Sequence, residues 1–261
     1  MGAANVAVVD LRDRVAVVTG GASGAGRAMV DALAGRGARV LVADVDGVRC
    51  AETVASVERA GGRASSVVVD VCDDAAGGVV VEAAARLGPL GVLVNNAGGW
   101  GDAGRRFPDA APGEWDRVLG LNLRAPMLLT QAALAPLREA SGGAVVNVAS
   151  SAGLELSPYA SPEYGAAKAG LIRFTAAVAG LRETHGVRVN CVVPGWIGLD
   201  RAHAELAAMP PDRRALVPPF VPPERVAASV VRLAEDDDLA GRVLVLRGGR
   251  EPELLAPEPF E

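Results

Sequence analysis

Aromatic side chains are scarce in this chain: Trp, Tyr and Phe make up 3% of its 261 residues, and only two are tyrosines. Half of the residues are nevertheless hydrophobic, so the core has to be filled by Val, Leu and Ala. Helices packed on a parallel sheet are built that way. Histidine is nearly missing as well, and the isolated His185 and His203 offer no metal site. The three cysteines, Cys50, Cys72 and Cys191, are odd in number, widely spaced and free of any CxxC pattern. They read as reduced core thiols of a cytosolic protein. There is no basic excess either: the formal net charge is −5, which leaves no footprint for nucleic acid. The first fourteen residues lack a basic stretch followed by a cleavable apolar one, and Val6 breaks the myristoylation pattern. No apolar run reaches the length needed to span a bilayer. These absences together lead to the expectation of a cytoplasmic chain without nucleic-acid or membrane partners.

What the chain does have is alternation. Short Val-rich runs at 14–20, 39–44, 64–71, 90–98, 143–151, 187–195 and 241–249 read as strands. Ala-rich stretches at 26–37, 49–62, 75–87, 113–140, 162–185 and 222–235 separate them and read as helices. Continuous apolar strands alternating with helices predict an α/β fold, a doubly wound parallel sheet covered on both faces. One domain is expected over 1–261, with a core from about 11 to 249. The Pro-rich stretch 199–223 reads as an irregular lid or loop, and the acidic tail 250–261 as a surface arm.

The run TGGASGAG, Thr19 to Gly26, joins the first strand to the first helix. A glycine-rich turn in that context lets backbone approach a pyrophosphate and points helix N–H groups at it. Gly20, Ser23, Gly24, Ala25 and Gly26 are therefore candidate cofactor-binding residues. Asp44 ends the second strand, where an acid accepts from adenosine ribose hydroxyls and repels a 2′-phosphate. No Lys or Arg stands in the glycine turn before Gly26, so NAD(H) is expected over NADP(H), with Arg27 and Arg49 as the only nearby dissenters. Asp70 and Val71 close the third strand and are placed at the adenine. The NNAG run ends the fourth: its Asn amides could cross-link strand ends, while Asn96, Ala97 and Gly98 border a ribose. All these positions fall at carboxyl ends of successive strands, where open α/β sheets bind ligands.

YGAAK, Tyr164 to Lys168, puts a phenol and an ammonium one helical turn apart on the same face. Taken alone, such a pair is more often an exposed surface feature. Here Ser151 precedes the tyrosine by thirteen residues and Asn122 lies in the long helix. Ser150 is adjacent, but the spacing favours Ser151. With TGGASGAG, NNAG, Asn122, Ser151, YGAAK and the Pro194–Gly195 pair in this order, the sequence resembles the short-chain dehydrogenase/reductase family. The resemblance implies a catalytic tetrad of Asn122, Ser151, Tyr164 and Lys168, and cofactor contacts from Tyr164, Lys168, Pro194, Gly195 and Ile197. It also implies a homotetramer or homodimer packed through two long helices. In the chemistry so implied, Tyr164 is the general acid–base, Lys168 tunes it and holds the nicotinamide ribose, Ser151 meets the substrate oxygen, and Asn122 orders a water. Tyrosine ionises near ~10, and lowering that to ~7 takes about 4 kcal/mol. An ammonium ~6 Å away supplies roughly 3 kcal/mol at an effective dielectric of ~20.

Two positions depart from the family pattern. Leu199 stands where a cofactor-touching Thr is usual, and Arg247 replaces the acid of a terminal DGG, a reversal expected to alter a local pairing or an oligomer contact. Trp100, Leu154, Tyr159, Trp196 and Phe220, with Met209, are placed around the substrate, which points to an apolar or ring-containing molecule. Arg105, Arg106, Arg213 and Arg214 could meet an anionic group, although solvated surface is their commoner role. The leading expectation is an NAD(H)-dependent oxidoreductase that interconverts a secondary alcohol and a ketone. An NADPH-dependent 3-oxoacyl or polyketide-type ketoreductase and a non-catalytic redox sensor are the alternatives.

Overall fold

The structure is a computed structural model and describes residues 9–100, 107–156 and 160–256. The chain opens with β1 (Val15–Thr19), α1 (Gly24–Gly35), β2 (Arg39–Asp44), α2 (Gly47–Arg59), β3 (Arg63–Val68), α3 (Ala76–Ala85) and β4 (Leu90–Asn95). It continues through α4 (Pro112–Leu119), a π-helical turn (Gly120–Arg124), α5 (Ala125–Glu139), β5 (Gly143–Val148) and a 3-10 turn (Ser151–Gly153). α6 (Pro162–Ala177), α7 (Leu181–His185), β6 (Val187–Pro194), α8 (Asp200–Ala208), α9 (Pro211–Arg214), α10 (Pro223–Glu235), β7 (Val243–Leu246) and β8 (Glu253–Leu254) complete it. The strands form one sheet in the order β3-β2-β1-β4-β5-β6-β7-β8, parallel throughout except for the last pair.

The unbroken apolar strands are explained by where they lie. β1, β4, β5 and β6 are buried at every position, because helices cover both faces. On one side Met29, Val30 and Leu33 of α1 pack with Val226, Val230 and Leu233 of α10. On the other, Val80 and Ala84 of α3 pack with Leu129, Ala133 and Leu137 of α5. β3, at the edge, has no fully buried residue. Chain order reverses between β1 and β4, so a crevice opens at the carboxyl ends of these two strands.

Several boundaries differ from the sequence expectation. The long helix does run from Pro112 to Glu139, but its middle turn is π-helical. That helix is long and apolar enough to cross a membrane by length and composition alone, its most apolar 18 residues having a mean hydropathy of 1.2 although charged residues interrupt it. Its buried face is held against the sheet by Leu129, Ala133 and Leu137. The helix starting at Pro162 stops at Ala177 and resumes as α7. The stretch 199–223 is irregular only in part: it holds α8 and α9, and Pro211 and Pro223 are the first residues of α9 and α10, so these prolines start helices rather than prevent them. Part of the tail is not a free arm, since β8 pairs antiparallel with β7 and Arg247 ion-pairs with Glu253 at 2.7 Å. The reversed charge at 247 thus has a local partner. Cys50 and Cys191 are buried free thiols, whereas Cys72 is only half-buried.

Buried polar groups tie the layers together. Asn95 Nδ2 donates to Asn147 Oδ1 across β4 and β5, and Asn147 Nδ2 donates to Thr175 Oγ1 on α6. Arg188, almost fully buried, donates to the carbonyls of Leu233, Ala234 and Asp236 and so caps the end of α10.

Candidate active site

The glycine turn is as tight as its residues permit. A Cβ built on Gly26 would stand 2.0 Å from the Gly20 carbonyl oxygen, so no side chain fits there. Asn96 Nδ2 donates to the carbonyls of Thr19 and Gly20, which joins the end of β4 to the turn as the sequence suggested for these amides. Thr19, which the motifs alone did not single out, supports the same corner: its Oγ1 accepts from the N–H groups of Asn96 and Ala97. Its position beside the glycines was the available signal. Ser23 occupies the N-cap of α1 without a side-chain cap bond, and the first turn contains no acid. Helix N–H groups are therefore left to an anion, and the donor set fits a dinucleotide pyrophosphate.

Asp44 Oδ2 accepts from the Ala22 N–H at 3.1 Å and Oδ1 from that of Asp46, which fixes the carboxylate at the mouth of the turn. The two dissenting arginines are engaged elsewhere. Arg27 pairs with Asp31 and donates to Thr53, and Arg49 pairs with Asp46. Asp70 is exposed and accepts from the Cys72 N–H, while Val71 is buried beside it. Leu199 lies over the turn: its Cδ1 would be 3.2 Å from a Cβ on Gly24.

Tyr164 and Lys168 are both buried on α6, the Lys168 Nζ 5.6 Å from the centroid of the Tyr164 ring. Nζ donates to the Val148 carbonyl at 2.8 Å. Burial pushes the Lys168 ammonium down to about 8, and the neighbouring Cys191 works weakly against that shift. Cys191 itself is pushed up to about 12 by burial and is a neutral thiol. The turn carrying Ser151 docks directly on α6, and Gly153 is the reason it can. A Cβ on Gly153 would lie 2.6 Å from the Ala169 nitrogen and the Lys168 carbonyl carbon. Ser150 is used locally, its Oγ accepting from the Ala152 N–H, which leaves Ser151 as the serine of the pair without that capping duty. Asn122 sits in the π-helical turn, fully buried, with Nδ2 donating to the carbonyls of Val118 and Gly99 and Oδ1 accepting from the Gly99 N–H. Its side chain pins the loop after β4 instead of reaching into open space. A π-turn inside a helix often marks a functional position.

The aromatic residues form two pairs. Trp100 meets Tyr164 edge to face at 5.7 Å, and Trp196 meets Phe220 likewise at 5.1 Å. α8 touches both, with Arg201 over the Trp100 ring and His203 against Phe220. Phe220 is held by a second glycine: a Cβ on Gly248 would stand 1.6 Å from the Pro219 carbonyl oxygen. Arg201 had no motif to announce it, and the RGG run that contains Gly248 does not display this contact. Leu154 follows the Ser151 turn and is partly buried. Pro194 ends β6, the Gly195 N–H bonds to the Leu246 carbonyl, and Ile197 bridges to Val221. Arg214 donates to the carbonyls of Ala207 and Met209 at the end of α8, so its charge caps that helix. Tyr159, Arg105 and Arg106 lie outside the described residues.

Comparison with known proteins agrees with this geometry. The profile of the short chain dehydrogenase family matches residues 14–209. The chain belongs to that family. It is 37% identical to the cis-4-hydroxycyclohexanecarboxylate dehydrogenase of Sinomonas cyclohexanicum, over 91% of this chain and 96% of that one. It is 35% identical to the cyclopentanol dehydrogenase of Comamonas testosteroni, over 92% and 97%. A solved structure from Beutenbergia cavernae, assigned as an NAD(P)-dependent gluconate 5-dehydrogenase and holding NADP at low occupancy, superposes with a TM-score of 0.81. It shares 31% identity and covers 92% of this chain and 97% of its own. The Rossmann-type fold expected from the alternation of strands and helices is therefore that of an oxidoreductase family.

Proposed function

We propose that this short-chain dehydrogenase oxidises a cyclic secondary alcohol to its ketone with NAD(H), Tyr164 being the acid–base group. The observation that carries the reading is the buried Lys168 ammonium 5.6 Å from the Tyr164 ring, on a helix that also receives the Ser151 turn. When bound, the nicotinamide nucleotide supplies the hydride acceptor. Gly20, Ser23, Gly24, Ala25 and Gly26 hold its phosphates, Asp44 its adenosine ribose, and Asp70 and Val71 border the adenine. Asn96, Ala97, Gly98 and Lys168 would hold the second ribose, and Pro194, Gly195 and Ile197 would meet the nicotinamide end.

Ser151 donates to the substrate oxygen and orients the carbinol toward Tyr164. Tyr164 takes the carbinol proton as its phenolate. A cation roughly 6 Å from the phenolate oxygen favours that anion by about 3 kcal/mol at an effective dielectric of ~20. Lys168 is itself destabilised by burial, so a facing negative charge relieves the cost of its own desolvation. Asn122 acts on this centre by fixing the loop at Gly99, and its backbone in the wide π-turn is left to a proton-relaying water. Trp100, Leu154, Trp196 and Phe220 give the pocket apolar walls suited to a ring, in keeping with the alcohols named for two relatives.

The carboxylate of Asp44 and the engagement of Arg27 and Arg49 support NAD(H). The NADP held by the Beutenbergia structure favours a second reading, an NADPH-dependent ketoreductase. Titration with NADH and NADPH, followed by tryptophan fluorescence, separates the two. Turnover is then assayed with cyclopentanol, 4-methylcyclohexanol and 4-hydroxycyclohexanecarboxylate. Tyr164→Phe is expected to lower turnover by a factor of roughly 10² to 10⁴ while NADH still binds. Unchanged turnover in that variant would refute the assignment of Tyr164. A groove of about 810 Å³ lined by Leu119, Leu123, Met127, Leu134, Phe174 and Leu181 suits packing of a second copy through the long helices, and Met127→Glu should shift the sedimentation coefficient toward a monomer.

A further inference from the structure

We propose that Arg201 is the specificity-determining residue of the substrate pocket and selects ring alcohols that carry a carboxylate or similar oxyanion remote from the carbinol. This rests on the reading of Tyr164 as the acid–base group, because Tyr164 fixes where the carbinol lies. Trp100 links the two ends. The centre of its ring lies 5.7 Å from that of Tyr164 and 4.4 Å from the Arg201 guanidinium carbon. The guanidinium is thus no further from the phenol ring than these two contacts laid end to end, a gap that one substituted carbocycle can bridge.

The state of the guanidinium supports an anion-binding role. Stacking on an aromatic face leaves the in-plane N–H groups of arginine available for hydrogen bonds. Nε is taken by Glu205 at 2.7 Å, but Nη1 and Nη2 make no hydrogen bond among the described residues. The free edge is the one able to grip a carboxylate with two parallel bonds. Glu205 is a half-exposed neighbour and neutralises only part of the charge; Asp200, also on α8, is exposed. The indole Nε1–H of Trp100 is buried and has no acceptor among the described residues, so a second donor sits in the same wall. Arg201 is exposed, so its free edge is open to solvent; among the described basic residues that the sequence pointed to, Arg214 is spent on capping α8, and Arg213 on α9 stacks on no aromatic ring.

The test is calorimetric titration of the NADH-saturated full-length protein with cyclohexanecarboxylate and with the neutral cyclohexanemethanol. Wild-type protein is expected to prefer the carboxylate, with a preference that falls as salt is raised. Arg201→Met should cut that preference about tenfold to a hundredfold, the worth of hydrogen bonds to a charged group. Arg201→Lys should keep part of it. Absence of a preference in the wild type, or an equal preference in Arg201→Met, would overturn the proposal. Turnover of 4-hydroxycyclohexanecarboxylate against 4-methylcyclohexanol is read separately. Failure to oxidise either counts against the dehydrogenase reading, while the calorimetric preference still decides the role of Arg201.

Discussion

Lys168 is the only lysine in the chain, which makes its charge directly measurable. Its ammonium is buried, with the Val148 carbonyl as hydrogen-bond acceptor, and its pKa is pushed from 10.5 down to about 8. Below pH 8 the lysine is charged in both the folded and the unfolded chain, and folding carries the full desolvation cost. Between 8 and 10.5 the folded protein has released the proton while the unfolded chain still binds it, so stability rises with pH. Above 10.5 both are neutral and the penalty is gone. A shift from 10.5 to about 8 corresponds to about 3 kcal/mol, of which about 2 kcal/mol is relieved between pH ~7 and pH ~10. Comparing Tyr164→Phe with Tyr164→Phe/Lys168→Met isolates this contribution, because the nearby phenol is removed from both. Cys191, the other titratable group facing the ammonium, is present in both and stays neutral over this range. Loss of the bond to Val148 adds an offset of about 1–3 kcal/mol that does not vary with pH, so the slope decides and not the absolute difference. Urea unfolding at four pH values from about 7 to about 10 should show the single variant gaining about 2 kcal/mol on the double variant across the series. Selective ¹³C labelling of lysine gives one resonance, with a midpoint near 8 when folded and near 10.5 in urea. Parallel stability curves and a folded midpoint at the ordinary lysine value would refute the reasoning.

Other perturbations follow from the same geometry. Asp44→Ala should lower the ratio of NADPH to NADH dissociation constants at least about tenfold, since the carboxylate that faces a 2′-phosphate is gone; fluorescence titration of both nucleotides measures it. Gly248→Ala forces the Pro219 carbonyl away and should displace Phe220, raising KM for a ring alcohol well above wild type while NADH affinity is kept. Arg188→Met removes three bonds from the end of α10 together with the pairing to Asp237, and leaves the Ala234 carbonyl without its donor, a loss of about 3 kcal/mol that thermal unfolding would register as a lower Tm.

The fold was legible because burial on both faces makes parallel strands continuously apolar, and only a covered sheet tolerates runs such as VAVVT or VRVNCVVP. The glycine turn and YGAAK were legible for a related reason: each compresses its chemistry into neighbouring positions, so spacing alone displays it. What escaped is contact between segments far apart in sequence. Prolines were read as breaking structure in 199–223, yet at N1 positions they initiate α9 and α10. The partner of Arg247 was invisible because it depends on β8 folding back beside β7.

The same distinction runs through the site itself. Tyr164 and Lys168 are oriented by a single helical turn, whereas the turn that carries Ser151 docks on α6 only because Gly153 has no side chain to hold it off. Trp100 reaches Tyr164 from the loop after β4, which Asn122 clasps from a π-turn in the following helix. Each connection is made by a group whose type is unremarkable on its own: a glycine, an amide, an arginine on α8. Acid–base chemistry can be carried by a short motif because it needs two groups on one face. Substrate selection needs walls drawn from several separate segments, and the contacts of Trp100 with Tyr164 and with Arg201 of α8 join three such segments in this chain.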